Sequence, residues 1–260
     1  MRWPDEKAWR PHILLLALIL GGLCTARATW RVLQRGPNIH GFEAEFIALS
    51  VAQGRGFSID AFNRWLYPRG SLDEYFLTAW IDPLYTYLLA ACFHLFPDHA
   101  HLAAGLLNVA LFAGALWLAF KCTDHLAGPA AGVLTIVLLG WWLTPFHGAV
   151  TSMSNALLGA FLVSACTYST LLFLARSGTR EAVVLGVVLG LTVLGCPAAT
   201  LFMPALALII LLNQRKTRAW RARQIALVLV LALAVISPWT IRNYRVFGEF
   251  VLVRTGRGRT

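Results

Sequence analysis

Long apolar runs without a single charge dominate this chain and decide what it can become. Residues 12–26, 102–120, 129–143, 156–174 and 225–241 contain no Asp, Glu, Lys or Arg. Runs approaching about 18 such residues suit a helix that crosses the hydrocarbon core of a bilayer. A soluble fold needs charge spread over its surface, about 25% of its residues. Here 13% are charged and 58% are hydrophobic. That balance excludes a disordered chain, a secreted disulfide scaffold and an ordinary soluble enzyme. The expected fold class is an all-α polytopic membrane protein.

Two further segments complete the expected set of spans. Residues 83–96 read as the second span. Residues 181–212 are apolar but broken by Gly195, Cys196, Pro197 and Pro204, and are expected to form one long span, Pro-kinked or partly unwound. With 12–26, 102–120, 129–143, 156–174 and 225–241 this makes seven transmembrane helices. The first run resembles a signal peptide in length, but the spans after it favour an uncleaved first helix.

Orientation follows from charge, because cytoplasmic loops carry excess Lys and Arg. Residues 213–224 hold Arg215, Lys216, Arg218, Arg221 and Arg223 and no acid. The N-terminus holds Arg2, Lys7 and Arg10 against Asp5 and Glu6. Both are expected inside, which requires an even number of crossings between them. The tail from Arg242 onward is then outside, although its five arginines pull the other way. The formal net charge of +10 is explained by topology and contacts with membrane lipid. No nucleic-acid-binding motif accompanies it.

Residues 27–82 form a long first extracytoplasmic loop. It holds six of the twelve acids: Glu43, Glu45, Asp60, Asp73, Glu74 and Asp82. Six arginines and ten aromatics accompany them. A loop of this length and chemistry is either a site or a solvated interfacial segment anchored by Trp and Tyr. Residues 42–53 have helical spacing, with Phe42, Phe46 and Leu49 on one stripe and Ala44, Ala48 and Val51 on the far side. Such a helix suits the membrane surface. Glu43 and Glu45, two positions apart, lie on opposite flanks, so at most one enters any given cavity. Gln53-Gly54-Arg55-Gly56-Phe57 reads as a turn.

Other signals are weaker. Asp82 before Pro83 is either a site residue or a wetted helix start. Arg242 and Arg245 either grip phosphate or snorkel at the interface. The five cysteines are scattered without a CxxC pair. The histidines show no clear metal spacing, and His99 and His101 sit in a short loop as a solvated turn or a metal contact. No GxxxxGK[ST] or HExxH motif is present, and few ionisable residues lie within the spans.

The order of these features resembles a known family. A first span, a long outer loop with an acid and a GxGF turn, "TAWIDPLYTYLLA", and a last span ending "SPWTIRNYRVFGEFVLVRTGRG" are similar to GT-C membrane glycosyltransferases. The branch is that of protein mannosyltransferases and aminoarabinose transferases. The resemblance implies a single GT-C-like module over residues 1–260, with 242–260 either opening an outer segment cut short or ending a minimal seven-span module. It implies transfer of a sugar from a polyprenyl-phosphate donor, outside a bacterial inner membrane, to an acceptor of unknown identity. Glu43 is the expected base, with Glu45 in reserve. Arg55, Asp82, Tyr85, Arg242, Asn243 and Arg245 are the expected substrate-binding residues. No cofactor or metal is expected, a divalent ion being the alternative that some members use. Where such members have an acid near the fifth span, this chain has Asn155, and Cys196 replaces an Arg before Pro197. The competing expectation is a noncatalytic binding or assembly protein, or a degenerate fragment of such an enzyme.

Overall fold

The computed structural model describes residues 6–41, 43–60, 75–79, 81–142, 148–212 and 217–254. Phe42, Asp73, Glu74, Arg215 and Lys216, all named above, lie outside them, as do Arg64 and Arg69 of the first loop and residues 1–5 and 255–260. The order of helices and strands is α1 (Glu6–Arg35), α2 (Glu43–Ala52), β1 (Ser58–Asp60), β2 (Tyr75–Leu77), α3 (Pro83–Leu95) and α4 (Ala100–Ala127). There follow α5 (Pro129–Val137), α6 (Ala156–Arg176), α7 (Thr179–Gly195), α8 (Phe202–Leu212) and α9 (Arg218–Phe247). Among the described residues, α1, α4, α6 and α9 are long and apolar enough to cross a membrane. The chain is therefore an integral membrane protein in build. Leu15, Leu18, Ile19, Leu23 and Trp30 stand exposed along α1, as a lipid-facing helix requires.

Contacts fix the direction of each rod. Gly105 near the start of α4 packs on Val32 at the end of α1 and on Ile39 just beyond it, whereas Cys24 and Leu116 meet at Gly140. The helices α1 and α4 are thus antiparallel. Gly132 of α5 lies on Phe120, and its continuation, a π-helical turn over Leu138–Trp142, climbs back to Cys24. Down α6, Phe161 meets Gly114 and the Ser164 carbonyl accepts from Cys122 Sγ at 3.7 Å, so α6 runs with α4. Thr192 of α7 donates to the Leu162 carbonyl at 3.3 Å, while Phe173 and Ala182 share a core at the far end. Arg221 at the start of α9 donates to the Leu211 carbonyl, so α8 ends where α9 begins.

The helices α7 and α9 approach closely at two glycines. A Cβ on Gly186 would lie 2.8 Å from Leu231 Cβ and 2.9 Å from the Val228 carbonyl. One on Gly190, a turn later, would lie 2.7 Å from Val235 Cβ and 2.8 Å from the Ala232 carbonyl. Small residues four apart let two backbones touch, which is how helices associate where water supplies no driving force. Both helices therefore run the same way.

Two segments differ from their expected form. Residues 83–96 do not carry the chain to the opposite end. The helix α3 has thirteen residues. Tyr85 in its first turn meets Asn108, and Phe93 near its end packs beside His101 in the first turn of α4. It thus returns toward the end of the bundle where α1 finishes. Pro97 stops it there. Conversely, residues 181–212 are two rods rather than one. Cys196 is extended (φ −154°, ψ 87°), as a residue before proline prefers, and a 3₁₀ turn over Pro197–Leu201 precedes α8.

The first loop is not purely helical. After α2 the chain turns at Gly54 and Gly56, both left-handed (φ 76° and 75°), and enters an antiparallel ribbon. Ser58 pairs with Leu77, Ile59 with Phe76 and Asp60 with Tyr75. Ile47, Ala48 and Val51 of α2 face the core, and Phe46 and Leu49 stay exposed on its other side.

Candidate active site

At the end where α1 finishes, four segments enclose a cavity of about 280 Å³. Glu43 and Ala44 come from the first turn of α2, and Ile81, Asp82, Tyr85 and Thr86 from the start of α3. Met153, Ser154 and Asn155 precede α6, and Arg254 arrives from the tail.

Asp82 caps α3 with extended backbone, and Pro83, which has no N–H to lose, opens the helix. The carboxylate is 4% exposed. Asn155 Nδ2 donates to Oδ2, and Arg254 Nη1 stands 3.6 Å from Oδ1, which has no hydrogen-bond partner. Burial pushes the Asp82 carboxyl above its ordinary value, against the opposing pulls of the Arg254 charge and the Asn155 hydrogen bond. One turn on, Tyr85 is buried and donates to Asn108 Oδ1 at 2.9 Å. Asn108 Nδ2 in turn donates to the Ser152 carbonyl at 2.7 Å. This buried amide ties α3 and α4 to the segment that presents Asn155.

The tail is held by α9. Trp239 Nε1 donates to the Val253 carbonyl at 2.6 Å and Thr240 Oγ1 to the Leu252 carbonyl at 2.8 Å. Asn243, fully buried, donates to the carbonyls of Val251 and Val253 at 3.2 and 3.3 Å. Gly248 closes the helix in the left-handed conformation. The strap 251–253 thereby delivers Arg254 to Asp82. The sequence offered only a faint signal for Arg254, one of several arginines in a basic tail.

The two glutamates of α2 do part, as their spacing requires. Glu43 reaches the cavity. Glu45 turns away and accepts from Gly41 N–H at 2.8 Å through Oε2. Its Oε1 lies 2.9 Å from His101 Nε2 and 3.7 Å from His40 Nδ1.

The other expected binding residues stand elsewhere. Arg242 is half-buried and donates to the carbonyls of Thr78 and Phe57 at 2.8 and 3.0 Å. Its guanidinium lies 4.9 Å from the Trp239 ring centroid and 5.6 Å from that of Phe57. It pins the ribbon to α9 and does not line the cavity. Arg55 is exposed in the turn after α2, and Arg245 is exposed in the last turn of α9. The structure thus brings together Glu43, Asp82 and Tyr85, with Asn243 acting through the strap.

The family model described as dolichyl-phosphate-mannose-protein mannosyltransferase matches residues 82–241. The chain belongs to that family. Neither a curated protein nor a solved structure matches it. Within this mannosyltransferase family, the matched region begins at Asp82 itself and takes in Tyr85, Asn108 and Asn155. Glu43 and Arg254, which complete the cavity, lie to either side of it. The chain is accordingly a glycosyltransferase-like membrane protein, and the family implies a lipid-linked sugar donor in general.

Proposed function

We propose that this chain moves a sugar from a polyprenyl-phosphate donor to an acceptor hydroxyl at the cavity. The observation that carries the reading is the meeting of Glu43, Asp82 and Arg254 in one cavity of a chain from a lipid-linked-sugar transferase family. Glu43 takes the proton as the acceptor oxygen attacks the anomeric carbon. The bond from that carbon to the phosphate oxygen breaks, and its electron pair leaves with the lipid phosphate. Among the described residues Glu43 has no competing ion pair, so its carboxylate is available as a base. Arg254, half-exposed beside Asp82, supplies the cation that a departing phosphate requires. Asp82 orients that guanidinium.

The cavity faces the extracytoplasmic side in this reading. The rods α1, α4, α5, α6, α7, α8 and α9 then make seven crossings. Six of them separate the N-terminus from the basic segment before α9, so both lie inside, as their charge requires. Seven crossings in this reading need α3 to turn back and 181–212 to divide. The whole of 1–260 is one module, placed in a bacterial inner membrane.

The test is transfer from a labelled polyprenyl-phosphate sugar by the membrane-embedded chain and its variants. Glu43→Gln is expected to lower the rate by about 100-fold or more, and Glu45→Gln far less. Transfer that survives Glu43→Gln rejects the base assignment. No transfer by the intact chain from any donor offered turns the reading toward a noncatalytic binding or assembly protein.

A further inference from the structure

Beside the cavity but outside it, three side chains converge that the proposed reaction does not use. His40 follows α1, Glu45 sits in the first turn of α2, and His101 sits in the first turn of α4. The His40, Glu45 and His101 ligand atoms all lie within 4.8 Å of one another. Glu45 Oε1 is 2.9 Å from His101 Nε2 and 3.7 Å from His40 Nδ1. The two imidazoles stand edge to face with centroids 5.2 Å apart, so their nitrogens approach one point without the rings colliding.

We infer that His40, Glu45 and His101 form a binding site for a divalent transition-metal ion of the zinc type. Tetrahedral bonds of about 2.0–2.2 Å place ligand atoms about 3.3–3.6 Å apart, between the two separations found here. Two imidazoles and one carboxylate suit Zn²⁺, whereas Mg²⁺ and Ca²⁺ take oxygen ligands. Gly41 N–H holds Oε2 at 2.8 Å and leaves Oε1 turned to the histidines, the outer support a metal carboxylate needs. The His40 side chain is 65% exposed and that of Glu45 11% exposed, so the site is anchored on one side and open to water on the other. A water molecule completes the fourth position.

The ion would clip three segments together: the chain leaving α1, the start of α2 and the start of α4. The first turn of α2 also carries Glu43. The clip therefore fixes the backbone that presents Glu43, without touching the cavity. Its role is structural, and its presence does not depend on the proposed sugar transfer.

The experiment uses the full chain without a polyhistidine tag, purified in detergent, stripped with chelator and titrated with Co²⁺. The expected result is one Co²⁺ per chain with the intense visible absorption of a tetrahedral site, displaced by Zn²⁺. His101→Gln and Glu45→Gln each abolish that absorption, and His40→Gln weakens binding at least tenfold. His94→Gln and His99→Gln leave it unchanged. Added Zn²⁺ raises the unfolding temperature of the original chain and not that of Glu45→Gln. Each variant is first shown to unfold cooperatively without metal, so loss of binding is not loss of fold. A folded chain that takes up no stoichiometric Co²⁺ or Zn²⁺ overturns the inference and leaves a hydrogen-bonded His101–Glu45 pair. Binding that survives all three substitutions overturns it equally.

Discussion

Replacing Asp82 by Asn should make the protein more stable while weakening transfer. The carboxylate is 4% exposed, and its Oδ1 has no hydrogen-bond partner. An unsatisfied buried acceptor costs about 1–3 kcal/mol, more when it is charged. The compensating ion pair is modest. Arg254 is 3.6 Å away with its side chain 49% exposed, so solvent screening limits the pair to about 1 kcal/mol or less. Asn keeps the oxygen that accepts from Asn155 and removes the charge. The expected gain is about 1 kcal/mol, or about 2–4 °C in unfolding temperature for a chain of this size.

The gain carries a pH signature. Burial holds the Asp82 carboxyl above its ordinary value in the folded chain. Between the ordinary and the raised value, the folded state binds the proton more tightly than the unfolded state. Stability therefore falls as pH rises through the folded value, and the penalty is complete above it. Below the ordinary value both states are protonated and the penalty is gone. The advantage of Asp82→Asn should be full above the raised value and shrink as pH falls toward about 4. Thermal unfolding followed by the fluorescence of the ten tryptophans measures it. A variant that unfolds at lower temperature than the original at neutral pH, or an advantage that grows on acidification, refutes the reasoning.

Four more substitutions test the packing, the strap and the buried Tyr85–Asn108 pair. Gly190→Val places a Cβ against the Ala232 carbonyl and should cost about 3 kcal/mol or more, read as a lower unfolding temperature. Gly159→Ala, whose Cβ would meet only Cys196 Cβ at 3.8 Å, should change it little. Asn243→Ala removes the donor to the Val251 carbonyl and one of the two donors to the Val253 carbonyl, a loss of about 1–3 kcal/mol. It should speed protease cleavage after Gly248 and lower transfer through Arg254, with helix content unchanged. Tyr85→Phe removes the donor to buried Asn108 Oδ1 and should cost about 1–2 kcal/mol, again seen in thermal unfolding.

Much of this protein can be read from its residue order. Runs without charge specify helices in lipid, since hydrocarbon leaves the backbone no other partner than itself. Helical geometry alone sends Glu43 and Glu45 to different places, and glycines at 54 and 56 mark the turn before Phe57. Residues 82–96 show where such reading stops. The apolar composition of α3 equals that of a span, and only its contacts with Asn108 at one end and His101 at the other reveal that it turns back. The break at Cys196–Pro197 was visible, but whether it kinks one rod or separates two depends on where α8 finds its neighbours.

The same division holds at the site. Sequence alone determined a helical membrane protein, a basic segment before its last long helix and an acid-rich first loop, because these depend on composition and local periodicity. Tertiary structure alone decided that Arg254 rather than Arg242 meets Asp82, and that Glu45 meets two histidines 5 and 56 positions away. Arg242 and Arg254 are chemically alike, and nothing in their local sequence ranks them. The choice falls to Trp239, Thr240 and Asn243, whose hydrogen bonds fold the strap back along α9 and bring one guanidinium, and not the other, to the buried carboxylate.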